Sequence, residues 1–393
     1  MKIVHLVTSP IGGAAIAARR LNDALKTIGC ESTVLSVQRR TSEHIEDFQQ
    51  QEISLERKIL SSAITLVQRK VIQKGPGAVS VFSLDLLNWQ DPGIADADVL
   101  HLHAFYNLVT IKSFLRHYPE KRKVITLHDE RFYTGGCHYC LGCQFLFSGC
   151  NNCPQVQKLF RGKVRQERAS TLTEIEMAPD LTIICPSNWI QERAMRAIPV
   201  LKPAQFKRIM NPIPSSRVID LQPTYSDLVT FGFIAQNLEN PIKNLNLLLR
   251  AFIRISKTRP NQYKLILVGK SSVDHSVDSQ SVSQVEVKSS KEMADVFSKM
   301  DVLVVPSTED NLPNVLGEAL MNGVSIIGSD VGGIPEVLRL FDQTIFESEN
   351  EDELVQALLA FEKKDKHSLR SRAEKIFGYE AVANLMISAY KED

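Results

Sequence analysis

The run from Val302 to Asn322, V-L-V-V-P-S-T-E-D-N-L-P-N-V-L-G-E-A-L-M-N, most narrows what this chain can fold into. Four consecutive apolar residues read as a strand buried on both faces, and Pro306 and Ser307 end it. After a polar turn, Leu316, Ala319 and Leu320 recur at helical spacing. A buried strand, a loop and a helix start form the repeating unit of a parallel sheet covered by helices. That unit aims backbone N–H groups and the positive end of a helix dipole at whatever lies above the strand. Asp310 stands in the loop, and Glu318 follows eight residues later on the helix. Carboxylates accept charge-assisted hydrogen bonds, so they can grip sugar hydroxyls. Amides for a phosphate beside acids for hydroxyls suit a nucleotide-sugar. The same residues also describe an ordinary surface loop with solvated acids.

The unit recurs along the 393 residues, a length that accommodates two domains with full cores. Lys2–Val7 reads as a strand, and Gly12 and Gly13 open a helix from about Ala14 to Ile28. Two glycines let a backbone approach a phosphate, or simply make a tight turn; the dinucleotide fingerprint is absent. Val99–His103 and Lys123–Leu127 are further strands, the first ending in H-L-H and the second followed by His128 and Asp129. Histidines at the carboxyl ends of strands stand where open α/β sheets collect ligands. Leu181–Cys185 is the next strand, with Ser187 as a helix N-cap. The proline-rich stretch Met210–Pro223 marks a domain boundary. Beyond it the scheme repeats from Leu228–Ile234. Lys243 precedes a helix carrying Leu245, Leu248, Leu249 and Phe252, where an ammonium suits a diphosphate but equally fits a solvated lysine. Lys264–Val268 and Ser325–Gly328 are later strands, and helical patterns cover Asp352–Lys364 and Tyr379–Tyr390. The fold class expected is α/β, with two Rossmann-like doubly wound parallel sheets.

Five of the seven cysteines crowd between Cys137 and Cys153 with spacing C-x2-C-x2-C-x6-C-x2-C. With an N-terminus that reads as a strand rather than an export signal, the crowding points to a metal rather than disulfides, and to a cytoplasmic protein. Cysteines two apart chelate tetrahedral zinc well, and five thiols leave one spare. An iron–sulfur cluster is the alternative, although the six-residue gap departs from ferredoxin spacing. A closed four-thiolate site leaves no open coordination position, so the expected zinc is structural and no catalytic metal is expected. The net charge of +1, and the lack of Lys or Arg from Cys137 to Pro154, argue against nucleic acid. No run of eighteen apolar residues suggests a membrane span. Between 54 and 74, Leu60, Ile64, Val67 and Val71 fall on one helical face, with Arg57, Lys58, Arg69, Lys70 and Lys74 on the rest. Such a helix either packs on the core or lies on an anionic membrane surface.

The acid-loop-helix stretch resembles the E-x7-E signature of retaining glycosyltransferases of family 4, which have the GT-B fold of two Rossmann-like domains facing a cleft. Glu318 matches the acid that holds the nucleotide ribose. Asp310 stands where the donor-sugar contact is usually Glu, and Asn311-Leu312-Pro313 replaces the usual G-F-G. The resemblance implies that Gly12 and Gly13 face the donor pyrophosphate and the acceptor. It gives Lys243 a diphosphate role, although the usual preceding Arg is replaced by Phe233, which shifts part of the work to backbone amides and Asn240. T-L-H-D at Thr126–Asp129 matches a family position whose His contacts the donor sugar, a role carried to His128. His103 and Asp129 are second choices for acceptor-side contacts. G-G-I-P-E at Gly332–Glu336 resembles the loop flanking the donor phosphate. The cysteine insert resembles a knuckle in a colanic-acid-type subgroup that builds bacterial exopolysaccharide. Its four positions match Cys137, Cys143, Cys150 and Cys153, with Cys140 extra. The organisation implied is an acceptor-side domain over 1–210 with the knuckle at 134–154, a linker over 211–225, a nucleotide-sugar domain over 226–375, and a final helix over 376–393 that crosses back. The expected reaction transfers a sugar from a nucleotide-diphosphate sugar to a hydroxyl of a saccharide or lipid-linked saccharide, with retention and without a protein nucleophile. A nucleotide-sugar epimerase on the same scaffold, a zinc-ribbon binding module and a redox protein are the rivals.

Overall fold

The computed structural model describes residues 1–37, 48–51, 53–72, 79–215, 228–273, 281–287 and 289–392. The chain divides into two units, Met1–Pro212 together with Tyr379–Asp393, and Ile213–Gly378. Most of the proline-rich boundary stretch, residues 216–223, lies outside the described residues, as does Lys74.

In the first unit, strands β1 (Lys2–Val7), β2 (Glu31–Ser36), β3 (Phe48–Gln50), β4 (Val99–Leu102), β5 (Arg122–Thr126), β6 (Thr182–Cys185) and β7 (Phe206–Arg208) form one sheet. Its order is β3-β2-β1-β4-β5-β6-β7, and every neighbouring pair is parallel. Helices α1 (Gly13–Thr27), α2 (Leu55–Val71), α3 (Pro92–Ala95), α4 (Ile111–Arg116), α5 (Arg161–Glu176) and α6 (Asn188–Ala197) connect the strands. The central strands are apolar on both faces because helices cover both sides. Leu6, Leu100, Leu102, Ile125 and Ile183 join one core, while Ile3, Leu21, Leu25, Val99 and Val124 join another. Chain order reverses between β1 and β4, which opens a crevice beyond their carboxyl ends.

In the second unit, β8 (Val229–Asn237), β9 (Tyr263–Lys270), β10 (Val282–Val285), β11 (Val302–Val305), β12 (Ser325–Ser329) and β13 (Thr344–Phe346) make a parallel sheet in the order β10-β9-β8-β11-β12-β13. Helices α7 (Leu245–Thr258), α8 (Ser290–Ser298), α9 (Asn314–Met321), α10 (Ile334–Leu340), α11 (Glu351–Leu359) and α12 (Lys366–Phe377) accompany it. Here the reversal falls between β8 and β11. The final helix, α13 (Tyr379–Lys391), belongs to the first unit, where Val382, Ala383, Met386 and Ala389 pack with Ile3 and Leu21 of β1 and α1.

One helix differs from its sequence pattern. Of the face formed by Leu60, Ile64, Val67 and Val71, only Val71 is buried; Leu60 and Val67 are exposed, together with Leu55 at 72%, Ile59 at 62% and Leu66 at 62%. The buried face holds Val71 and Gln68, whose amide bonds the backbone of Val79, Val81 and Phe82. A polar side chain that satisfies three backbone groups outweighs the apolar alternative on that face.

Candidate functional site

In the second unit, three loops meet beyond the carboxyl ends of β8, β11 and β12. After β8 the chain makes a 3-10 turn over Pro241–Lys243. Asn240 Oδ1 caps it by accepting from the Ile242 amide at 3.1 Å, so that oxygen is committed to holding Lys243 in place. After β11, the Thr308 amide donates to the Ile242 carbonyl at 2.8 Å and joins the first two loops. After β12, the Gly333 amide donates to the Asn311 carbonyl at 2.7 Å, and Ser329 Oγ donates to the Ser307 carbonyl at 2.6 Å. Gly332 adopts φ +59°, and a Cβ there would overlap the carbonyl of Asp310. Only glycine permits that approach, so G-G-I-P-E clasps the acid loop by its backbone.

The clasp brings Lys243 and Asp310 into an ion pair. Asp310 and Asn311 are buried, Leu312 is half-buried, and Pro313 caps α9. Glu318 lies one turn into α9, half-buried. A carboxylate held against an ammonium at a topological switch point presents both signs of charge to a ligand. α9 is backed by α12, whose Leu369, Ala373 and Phe377 are buried at four-residue spacing.

In the first unit, Gly12 takes φ +106° as the residue before α1, and Gly13 opens the helix. Thr8 Oγ1 donates to the Tyr106 carbonyl at 2.6 Å, tying the loop after β1 to that after β4. His103 does not stand alone beside its strand end. His5 Nε2 pairs with Ser32 Oγ at 3.1 Å, and His5 Nδ1 with His103 Nε2 at 2.9 Å. His103 Nδ1 pairs with His128 Nε2 at 3.0 Å. Beside this file, His101 joins Tyr390 OH and Thr126 Oγ1, both at 2.7 Å. Burial disfavours the charged imidazoles: His5 falls to about 3, His128 to about 4, and His101 and His103 well below the usual value. The four rings are therefore neutral at pH 7.

Asp129, an acceptor-side candidate, has both oxygens engaged. Oδ1 accepts from the Arg131 amide at 2.8 Å, and Oδ2 pairs with His138 Nδ1 at 2.6 Å. Burial raises its pKa, but His138 and the amide outweigh that and hold it below the ordinary value. His138 in turn meets Ser80 Oγ at 2.6 Å. This anchors the cysteine segment, whose five thiols are all free; Cys137, Cys140, Cys150 and Cys153 are buried. Cys137 Sγ and Cys153 Sγ stand 4.0 Å apart, close to the edge of about 3.8 Å in a tetrahedral zinc–thiolate site. The hydrogen bond from Cys137 lowers Cys153 to about 6.

Sequence reasoning missed Glu130. It is 1% exposed and accepts from Arg193 Nε at 2.6 Å, Tyr133 OH at 3.0 Å and the Cys140 amide at 2.8 Å. It also missed His5 and His101, although His101 and His103 alternate onto one face of β4 and His5 is the register partner of His101. Thus Lys243, Asp310, Asn311, Leu312, Pro313 and Glu318 gather on the second unit. Gly12, Gly13, His103 and His128 lie at the strand ends of the first.

Comparison with known proteins bears on this geometry. Residues 229–363 match the family model described as glycosyl transferases group 1. WcaC of Escherichia coli (strain K12), described as a colanic acid biosynthesis glycosyl transferase, is 25% identical over 268 residues, 61% of this chain and 62% of that one. The chain thus spans less than two thirds of that relative's length. Among solved structures, Anabaena HepE in complex with UDP and glucose superposes with a TM-score of 0.64, at 14% identity and with both chains fully covered. Sucrose-phosphate synthase from Thermosynechococcus elongatus gives 0.63 at 17% identity, covering 100% of this chain and 98% of that one. These likenesses, with the two parallel sheets, establish an α/β fold of the GT-B type.

Proposed function

We propose that this chain is a retaining glycosyltransferase of family 4 that moves a sugar from a nucleotide-diphosphate sugar to a hydroxyl of a saccharide or lipid-linked saccharide acceptor, in surface polysaccharide biosynthesis. The observation that carries the reading is the Lys243–Asp310 pair, clasped beyond β8 and β11 with Glu318 eight residues further on, inside the segment that matches the group 1 glycosyl transferase model. The relative named for colanic acid biosynthesis supports the pathway class. The structures named as complexes with UDP, glucose and UDP-glucose make UDP-sugars the first donors to try.

Glu318 then takes the ribose hydroxyls and Asp310 the donor sugar. Lys243, released from Asp310 towards the diphosphate, stabilises the leaving group together with the amides near Gly13, Asn311 and Leu312. Charge that develops on the leaving phosphate is best met by fixed donors that need no reorganisation. His128 contacts the donor sugar, and the acceptor hydroxyl attacks from the face the nucleotide leaves, without a protein nucleophile: the new glycosidic bond forms as the bond to the diphosphate oxygen breaks, and the hydroxyl proton passes to that departing phosphate. Asp129 anchors the cysteine segment through one bond on each oxygen and keeps further lone pairs, so with His103 it stays a second choice for an acceptor hydroxyl.

The buried thiols fit a structural zinc. Cys137 and Cys153 would hold it with two of Cys140, Cys143 and Cys150, and it would brace a segment too short for its own core. That segment bridges to the chain beyond α2 through Ile72 with Val156 and Val79 with Cys137. Among the described residues, no helix is long and apolar enough to cross a membrane. The outward apolar face of α2, with exposed Lys58 and Lys70, supports a peripheral contact with an anionic bilayer.

A thermal-shift screen of nucleotide-sugars tests the reading, since a ligand of the native state raises the melting temperature. One nucleotide-sugar class should stabilise the protein, and product should form only when an acceptor is added. An isomerised donor in the absence of acceptor would favour the epimerase. Metal analysis should return zinc and a colourless protein; iron with a visible chromophore would replace the zinc assignment.

A further inference from the structure

His5, His101 and His103 offer ring nitrogens that all lie within 4.8 Å of one another, a density that suggests a metal centre. The hydrogen bonds argue otherwise. All six ring nitrogens of the three histidines already have partners: Ser32, His103, Tyr390, Thr126, His5 and His128. A cation would have to break several of these bonds within a buried, fully satisfied network.

The same bonds have a stricter consequence. A neutral imidazole has one donor and one acceptor nitrogen. His5, His103 and His128 are linked in single file, each joint running from an Nδ1 to the next Nε2. If Ser32 Oγ donates to His5 Nε2, then His5, His103 and His128 all carry their proton on Nδ1. If His128 Nε2–H donates inward, all three carry it on Nε2, and Ser32 Oγ accepts. Any mixed arrangement places two donors or two lone pairs face to face at about 3 Å, in a buried site where an unmade hydrogen bond costs about 1–3 kcal/mol.

We propose that Ser32, His5 and His103 form a tautomer-locking relay that fixes whether His128 presents a donor or an acceptor at its Nδ1, making them positioning residues for His128. The proposal rests on the reading above that His128 contacts the donor sugar. A locked donor would hold a sugar oxygen, whereas a locked acceptor would take a hydroxyl proton. Preorganising that choice avoids a rearrangement during the reaction. Ser32, on β2, thereby acts on an atom beyond β5 without touching it.

The test is nitrogen-15 NMR of the histidine rings in the full chain at pH 7.5, with neither metal nor nucleotide-sugar added. His5, His103 and His128 should show one common tautomer. His5→Phe, which keeps a ring in the space, and the milder Ser32→Ala should both move the His128 ring nitrogens towards the mixed-tautomer average. Opposite tautomers within the file, or His128 resonances unmoved by both substitutions in folded protein, would overturn the relay. These spectra need no substrate, so their result is independent of the transferase reading. In a transfer assay with the donor found by thermal shift, Ser32→Ala should lower kcat about tenfold with the donor KM unchanged, less than the roughly 10²–10⁴-fold of a group that itself moves a proton, because Ser32 acts through His128. An unchanged kcat beside an altered tautomer would remove the catalytic consequence and overturn the positioning role.

Discussion

The two parallel sheets treat their carboxyl ends differently. In the first unit, the ends of β1, β4 and β5 are built on buried polar side chains: neutral imidazoles in file and Glu130 bonded to Arg193, Tyr133 and Cys140. In the second, the ends of β8, β11 and β12 are joined mainly backbone to backbone, with one ion pair on top. A side-chain network fails when one member is removed or changes protonation state, because its partners are left buried and unsatisfied. A backbone clasp ignores protonation and fails when a Cβ intrudes.

Acid should expose this contrast most strongly. In the unfolded chain, these imidazoles bind protons near pH 6.5, whereas in the fold His5 and His128 do so only near about 3 and about 4. Stability from the file is therefore complete above pH 6.5 and declines as pH falls towards 4, by about 1.4 kcal/mol per pH unit for each buried imidazole. Calorimetry between pH 7.5 and 4.5 should show the first unit melting progressively earlier. Among the described residues of the second unit, no histidine is buried, so its transition should move less. Equal shifts in both units would erase the distinction.

Glu130→Gln is the next largest perturbation. Breaking one side of a buried ion pair costs about 3–5 kcal/mol. Chemical denaturation should show this loss in the first unit, with weaker metal retention by the cysteine segment. Gly332→Ala is the counterpart in the second unit. The strain at positive φ and the collision with Asp310 should cost about 2–4 kcal/mol and displace the acid loop, so nucleotide-sugar binding should be lost while the first unit melts as before. The smallest effect on stability is expected on α2. Ile59→Ser with Leu66→Ser should shift stability by no more than about 0.5 kcal/mol, because both side chains are already exposed. The pair should lower cosedimentation with anionic vesicles about tenfold or more, the worth of one or two buried apolar side chains. Unchanged vesicle binding would leave the outward face without its membrane role.

This contrast also explains what was legible in the sequence. The strands of both sheets were readable because runs such as V-L-V-V at Val302–Val305, buried on both faces, and L-I-L-V at Leu265–Val268, buried but for a half-buried Ile266, are bounded by turns. The gathering of Asp310, Asn311, Leu312 and Pro313 on one loop was readable because they are neighbours in sequence. Lys243 could be linked to that loop only through a resemblance, since the Thr308–Ile242 bond that joins the two loops leaves no local pattern. The histidine file is half-visible: His103 and His128 stand at strand ends in the sequence, but the part played by His5 depends on strand register. α12 escaped because only Leu369, Ala373 and Phe377 are apolar anchors in an otherwise polar helix. α2 reads two ways because periodicity identifies an apolar face without saying which way it points; Gln68 fixes the buried side by bonding three backbone groups.

On the proposed function, the second unit holds an activated sugar through the acids around β11 and α9. Isothermal titration of the stabilising nucleotide-sugar into the intact chain and into Glu318→Ala tests it most directly. Glu318 is half-buried one turn into α9, so the variant should fold, and its melting temperature without ligand reports any structural loss separately from binding. Affinity should fall at least about a hundredfold, the worth of two charge-assisted hydrogen bonds to ribose hydroxyls. The same affinity in both proteins would contradict it.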